Sequence, residues 1–341
     1  MTFLYPLVIA VFGAVGATWL GLPAAALLGS TLSVSIAAIL RMPGSVPGPL
    51  RHLAFTAIGV TLGSGVTPTI VQEMVQWTGS LAALFLTVIL TMGASSLILV
   101  RAFRQRWSTA LMSTSPGALT VAVNLAADTD DDVRAVITLQ SVRLLAVTLM
   151  LPPVIGLIEP DMVGRMAATT TAVGYGAGFA LMLGAAVLGL ALTQLRMPAA
   201  FLIAGMILSG AAHYAGWVEG RLPTAMNLVG FAVAGAVIGT RFRSITLAEF
   251  RRSGAAAATV SAIGIGFSAV ISWGVATTLG MPFGQVWVAF APGGVEAMAS
   301  MALSFGYDPI YVASHHIFRL LVLLLGLPIA IRLVLRLQDR G

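Results

Sequence analysis

LMSTSPGALTVAVNLAADTDDDVRAVITLQSVRLLAVTLMLPPVIGL, residues 111–157, and WVAFAPGGVEAMASMALSFGYDPIYVASHHIFRLLVLLLGLPIAIRL, residues 287–333, are two copies of one pattern. Aligned at a shift of 176 without a gap, they agree at 13 of 47 positions. Pro116-Gly117 falls on Pro292-Gly293, Asp132 on Asp308, Arg143-Leu144-Leu145 on Arg319-Leu320-Leu321, and Pro152 on Pro328. The same shift places Phe55, Gly59, Gly63 and Glu73 on Phe231, Gly235, Gly239 and Glu249, and a shift of 175 places Pro23-Ala24-Ala25 on Pro198-Ala199-Ala200. Apolar bias inflates matches among Leu and Val, but it does not align Asp, Glu and Arg in a chain that is only 9% charged. The chain is therefore read as an internal duplication.

Charge scarcity also sets the broad class. Soluble domains carry about 25% charged residues; here 58% of the 341 residues are hydrophobic and mean hydropathy is +0.98. Cys is absent, which excludes disulfide scaffolds and thiolate metal sites. The net charge of +6 comes from Arg alone, since there is no Lys, and these Arg lie singly or in small groups between apolar runs. That distribution points away from nucleic acid and toward a polytopic membrane protein in direct contact with the lipid bilayer.

Twelve hydrophobic segments are read at 4–20, 23–40, 53–72, 79–100, 107–127, 133–157, 172–192, 198–217, 226–242, 256–279, 285–305 and 310–331. The first lacks a positive flank before it and is expected to be a retained helix rather than a signal peptide. Two segments, 107–127 and 285–305, are broken at their centres by Ser115-Pro116-Gly117 and Ala291-Pro292-Gly293-Gly294. If every segment crosses, loop Arg divide ten against six. If the broken segments leave on the side from which they enter, the division is fourteen against two, with only Arg165 and Arg221 outside. Cytoplasmic loops are Arg-rich, so the second arrangement is preferred. The expected fold is all-α: two inverted repeats (1–158 and 172–341, joined by a polar linker, 159–171), each with five spanning helices and one Pro-Gly re-entrant or broken helix. Both termini are expected in the cytoplasm. A broken helix that crosses fully is the alternative.

Pro favours the first turn of a helix, so each Pro-Gly can start a second half-helix whose free N–H groups and positive dipole end suit an anion. Backbone opened at mid-membrane is tolerated only where protein buries it or water reaches it. Arg143 and Arg319 lie eleven residues into their helices from Asp132 and Asp308, about 16 Å of rise, which puts both guanidinium groups near mid-bilayer. Each needs a carboxylate, carbonyl oxygens or a bound anion; binding an anion and tying the broken helices are both open. His315 and His316 precede Arg319 by four and three residues on one face, and with Glu296 they form a cluster able to carry a proton. Four His and no Cys make a multinuclear metal centre unexpected. The Gly59xxxGly63 and Gly235xxxGly239 pairs fit close helix packing. Asp128, Asp130, Asp131 and Asp132 read as a solvated helix start with an Asp cap. Trp19, Trp77, Trp107, Trp217 and Trp287 read as an interfacial belt.

Ser115-Pro-Gly-Ala-Leu-Thr with Arg143, and Ala291-Pro-Gly-Gly-Val-Glu-Ala-Met with His315-His316-Ile-Phe-Arg319, resemble the AbrB-duplication membrane family over nearly the whole chain. The first block departs from the second, with Ala118-Leu119-Thr120 where the second has Gly294-Val295-Glu296. Bacterial members are often labelled AbrB family transcriptional regulators or ammonia monooxygenases, so the resemblance implies a bacterial inner-membrane location and gene regulation or oxygenase chemistry. Copper chemistry would need clustered ligands, and DNA reading would need a soluble basic module; the sequence offers neither, and regulation would then be indirect.

The function expected from these residues is a secondary transporter that moves a small organic anion by alternating access. Ser115, Pro116, Gly117, Thr120, Arg143, Pro292, Gly293, Gly294 and Arg319 would bind the solute. Glu296, His315 and His316 would couple protons. A membrane-embedded sensor or regulator binding the same ligand without moving it is the alternative, and a membrane monooxygenase stands third. No catalytic residue, metal or cofactor is expected, no nucleic acid is bound directly, and homo-oligomerisation is left open.

Overall fold

The computed structural model describes residues 4–66, 70–129, 131–162, 171–195 and 197–338, which contain α-helices and no strand. The first half holds α1 (Leu4–Trp19), α2 (Ala25–Ile39), α3 (Gly48–Gly63), α4 (Ile70–Gln76), α5 (Thr78–Phe103), α6 (Trp107–Thr114), α7 (Leu119–Asp128) and α8 (Val133–Ile158). The second holds α9 (Tyr175–Gln194), α10 (Ala200–Tyr214), α11 (Thr224–Thr240), α12 (Leu247–Leu279), α13 (Phe283–Phe290), α14 (Val295–Phe305) and α15 (Pro309–Gln338). Among the described residues, six helical stretches are long and apolar enough to cross a membrane: Thr78–Phe103, Val133–Ile158, Tyr175–Gln194, Thr224–Arg243, Ala248–Leu279 and Pro309–Arg336. Leu4–Trp19, Ala25–Ile39, Ala200–Tyr214 and Val295–Phe305 are shorter apolar helices.

Equivalent sequence makes equivalent helices. Adding 176 carries Trp107–Thr114 onto Phe283–Phe290 and the starts of α3, α7 and α8 onto those of α11, α14 and α15. Local geometry repeats as well: Ala24 and Ala199, each following a Pro, sit at φ 52 and φ 51 before α2 and α10. Asp132 Oδ1 accepts the Ala135 amide at 2.9 Å, and Asp308 Oδ1 accepts those of Ile310 and Tyr311 at 2.9 and 3.2 Å. The duplicated Asp thus caps the duplicated long helix.

Two compact units divide the chain, each drawing on both halves. The first comprises Met1–Gln76, Thr148–Ser244 and Val295–Ala313; the second comprises Trp77–Val147, Ile245–Gly294 and Ser314–Gly341. In the first unit α10 packs on α3 and α11 on α2, a reciprocal exchange between the halves. Glycine permits both crossings. A Cβ on Gly59 would strike the carbonyl of Leu202, and one on Gly205 would lie 2.7 Å from Thr56 O. A Cβ on Gly235 would strike the Ser30 hydroxyl, and one on Gly239 would lie 2.8 Å from Val34 Cβ. Without a hydrophobic force between helices in lipid, such close backbone approach supplies much of the association.

In the second unit α12 starts at a capping box, with Thr246 Oγ1 accepting the Glu249 amide and Glu249 Oε2 accepting the Thr246 amide. Arg252 and Arg134 reach Asp132 and Glu249 at 3.0 and 3.3 Å, linking α12 to α8. Asp131, which follows α7, accepts hydrogen bonds from Ser108 Oγ at 2.6 Å and Thr109 Oγ1 at 2.7 Å at the start of α6. The chain that leaves through α6 therefore returns beside its own starting point through α7.

Three expectations need correction. Segment 53–72 is not one helix: α3 begins at Gly48 after Pro47 and ends at Gly63, where Gly65 and Val66 bond back to Leu62 and Gly63 in tightened turns. The Asp cluster is not simply solvated, because the Asp131 carboxylate has no exposure at all; Asp130 lies outside the described residues. Trp77 and Trp287 are buried, 4% and 5% exposed, rather than interfacial; Trp287 donates to Ser268 Oγ at 3.2 Å. Trp19 and Trp217, 88% and 82% exposed, lie on the surface.

Candidate functional site

The residue before a Pro is pushed out of helical geometry, and this is how both breaks form. Ser115 (ψ 113) ends α6 before Pro116, and Ala291 (ψ 141) ends α13 before Pro292. Beyond that the copies differ. Gly117 adopts φ +85, a left-handed turn open to glycine, whereas Gly293 folds back by donating its amide to Ala291 O at 2.7 Å. Pro292 in turn rests on Gly264 of α12, where a Cβ would stand 3.0 Å from the ring.

Each break exposes the last carbonyls of a helix, the negative end of its dipole, and each receives an arginine. Arg143 donates through Nη1 to Thr114 O at 3.0 Å and Ser113 O at 3.4 Å, and through Nη2 to Ser115 O at 3.2 Å. Arg319 donates through Nη1 to Ala291 O and through Nη2 to Gly293 O, both at 2.6 Å. Both residues are nearly inaccessible, at 3% and 2% exposure. The two breaks meet here: a Cβ on Gly117 would lie 3.5 Å from Arg319 Nη2 and 3.9 Å from Gly293 O.

A second duplicated tie supports the first. Gln140 Nε2 donates to Met112 O at 2.7 Å, and its counterpart His316 bonds through Nε2 to Val288 O at 2.9 Å. Because a carbonyl only accepts, His316 carries its proton on Nε2, which leaves Nδ1 to accept from Arg319 Nη2 at 2.7 Å. The pair of bonds holds this imidazole in one neutral tautomer and orients the guanidinium. His315 Nε2 lies 2.7 Å from Ser80 Oγ, and its ring stacks on Phe290 with centroids 5.9 Å apart.

The guanidinium groups retain unsatisfied capacity. Arg143 Nε, Arg319 Nε and the Ser113 and Ser95 hydroxyls are buried without a hydrogen-bond partner among the described residues. The ion pairs among those residues, Arg106–Asp131, Arg134–Glu249 and Arg252–Asp132, include neither Arg143 nor Arg319. Two like charges that repel each other are thus balanced by carbonyl dipoles, with no carboxylate in contact among the described residues.

Of the expected site residues, Ser115, Pro116, Gly117, Arg143, Pro292, Gly293, Gly294, His315, His316 and Arg319 fall in the second unit, around the paired breaks. Glu296 belongs to the first unit, on the wall of a cavity that also holds Arg51, His52 and Arg241. The Thr120 side chain lies outside the described residues. Gln140, Ser80 and Gly264 were not singled out from sequence; Gln140 was visible as the residue matching His316, three before its own arginine.

Asp131 ties the end of α7 to the start of α6. Burial raises its pKa, but hydrogen bonds from Ser108, Thr109 and Thr129 and the nearby Arg106 outweigh that and hold the carboxyl below its usual range. No metal-binding group of three or more His, Asp or Glu occurs among the described residues.

No curated protein and no solved structure matches the chain. The family model described as transition state regulatory protein AbrB matches residues 26–335, a span that includes both Pro-Gly breaks and both buried arginines. The chain belongs to the AbrB family.

Proposed function

We propose that this membrane protein is a secondary transporter for a small organic anion, working by alternating access. The observation that carries the reading is the pair of buried guanidinium groups at the junction of two helix breaks, each with an Nε that has no partner, and no carboxylate in contact, among the described residues. A buried charge of this kind is costly unless paired, and an anion arriving at Nε and the Ser113 hydroxyl would complete the pairing without displacing the carbonyl bonds. Arg319 and Arg143 then both hold the broken backbone and attract the solute.

The topology that goes with this reading is ten spanning helices and two re-entrant Pro-Gly hairpins, in inverted repeats with both termini cytoplasmic in a bacterial inner membrane. The bonds from Ser108 and Thr109 to Asp131 support it for the first hairpin: a fully crossing segment would separate those groups by about 30 Å of hydrocarbon, whereas they touch. Proton coupling would fall to Glu296, His315 and His316; both ring nitrogens of His316 are engaged, so it would take up a proton only by giving up its bond from Arg319.

The family description speaks of regulation, which favours a second reading: a membrane sensor that binds the same anion without moving it. Purified protein in proteoliposomes separates them. A thermal-shift screen of carboxylates, phosphates and amino acids first finds a stabilising anion; its labelled form is then offered under ion and pH gradients. Flux supports the transporter, and stabilisation with no flux under any gradient supports the sensor.

A further inference from the structure

The first unit contains a cavity of about 570 Å³ that the broken helices do not explain. Three elements bring ionisable side chains to its wall: Arg51 and His52 from the first turns of α3, Arg241 from the end of α11, and Glu296 from the first turn of α14. His52 is fixed in place by stacking on Phe201, with centroids 4.0 Å apart and planes 9° from parallel, and Arg51 Nη2 lies 3.5 Å from its Nε2. Glu296 acts electrostatically on Arg241. The start of α10 also faces this space through Ala199, Ala200 and Phe201, and no side chain caps that helix, so its first N–H groups add to the positive potential.

Among the side chains that line the cavity, with His52 neutral, two guanidinium groups and one carboxylate sum to one positive charge, a lining that suits a monoanion. Arg offers a two-pronged match to a carboxylate, and an ionised Glu296, which can only accept, calls for a donor on the same ligand. Phe55 and Phe201 supply apolar wall, so the ligand has a hydrocarbon or aromatic body as well. We propose that this cavity binds a 2-hydroxycarboxylate with an apolar side chain, its carboxylate held by Arg51 and Arg241 and its hydroxyl donating to Glu296. The site lies wholly within one unit, and its occupancy does not depend on transport.

Titration calorimetry on the full chain in detergent, with no gradient, tests this with two probes: 3-phenyllactate and 3-phenylpropanoate, which lacks the hydroxyl. Saturable binding of both is expected, tighter for phenyllactate by about tenfold. Arg51→Gln and Arg241→Gln should each weaken both probes by at least about tenfold. Glu296→Gln should shrink the preference for phenyllactate by at least threefold while phenylpropanoate still binds. Size-exclusion elution reports folding; if Arg241→Gln fails to fold, Arg51→Gln, an exposed side chain, decides alone. Absence of saturable binding, binding unchanged by Arg51→Gln, or a preference untouched by Glu296→Gln overturns the proposal.

Discussion

Arg319→Gln is the perturbation whose size the structure sets best, because Arg143→Gln is its internal control. Arg319 makes bonds of 2.6, 2.6 and 2.7 Å to Ala291 O, Gly293 O and His316 Nδ1. Arg143 makes three longer ones, 3.0 to 3.4 Å, all to the carbonyls of residues 113–115. Hydrogen bonds from a charged group contribute about 1.5–3 kcal/mol each; removing the buried charge returns part of that through relieved desolvation. Shorter bonds and the loss of the His316 contact put the net cost of Arg319→Gln near 3 kcal/mol and that of Arg143→Gln near 1–2 kcal/mol. Unfolding in detergent, followed by tryptophan fluorescence against denaturant, compares the two variants in one assay. Equal costs, or a larger cost at Arg143, would refute the reasoning that these contacts hold the breaks together.

Asp131→Asn should cost about 1–3 kcal/mol, since three hydroxyl donors, two of them buried, lose an ionised acceptor. The sign with pH follows from the depressed carboxyl: its contribution is complete above the ordinary value near 4 and disappears as pH falls through the lower folded value. Wild type should therefore lose its advantage over Asp131→Asn below about pH 4, as unfolding curves at pH 7 and pH 3 would reveal. Gly205→Val should separate α3 from α10 and cost at least about 2 kcal/mol, whereas Gly93→Ala, where a Cβ meets nothing within 4 Å, should be neutral or stabilising by about 0.5–1 kcal/mol; thermal melts of the two distinguish packing glycines from incidental ones. The natural absence of Cys makes single-Cys labelling straightforward: Cys at Arg104 and at Asp128 should both react from the cytoplasmic face, and opposite faces would exclude a re-entrant α6–α7.

What could be seen in the sequence was whatever depends on local chemistry and on the duplication. Pro116 and Pro292 break their helices because the preceding residue cannot stay helical, and Asp132 and Asp308 cap theirs; neither needs a distant partner. Arg143 and Arg319 were legible as buried charges from their depth along α8 and α15 alone. Gly59 and Gly235 were legible as packing residues, though not which helices they touch. What escaped was tertiary. Asp131 looked like its acidic neighbours, and only the return of α7 to the start of α6 buries it. Trp77 and Trp287 stand at segment ends, as interfacial residues do, but face the protein interior. Glu296 sits three residues past Gly293 in the chain, yet its surroundings are Arg51, His52 and Arg241, contributed by helices far away in sequence. The same nonlocality hides the two compact units, each of which takes helices from both halves.

Solute counterflow is the most direct measurement of the central claim. Proteoliposomes loaded with an unlabelled stabilising anion are diluted into a trace of the labelled form, with wild type, Arg319→Gln and protein-free vesicles run side by side. The account predicts transient accumulation of label by wild type, at least about tenfold weaker in Arg319→Gln. An anion that binds and stabilises the wild-type protein yet never accumulates above protein-free vesicles would contradict it.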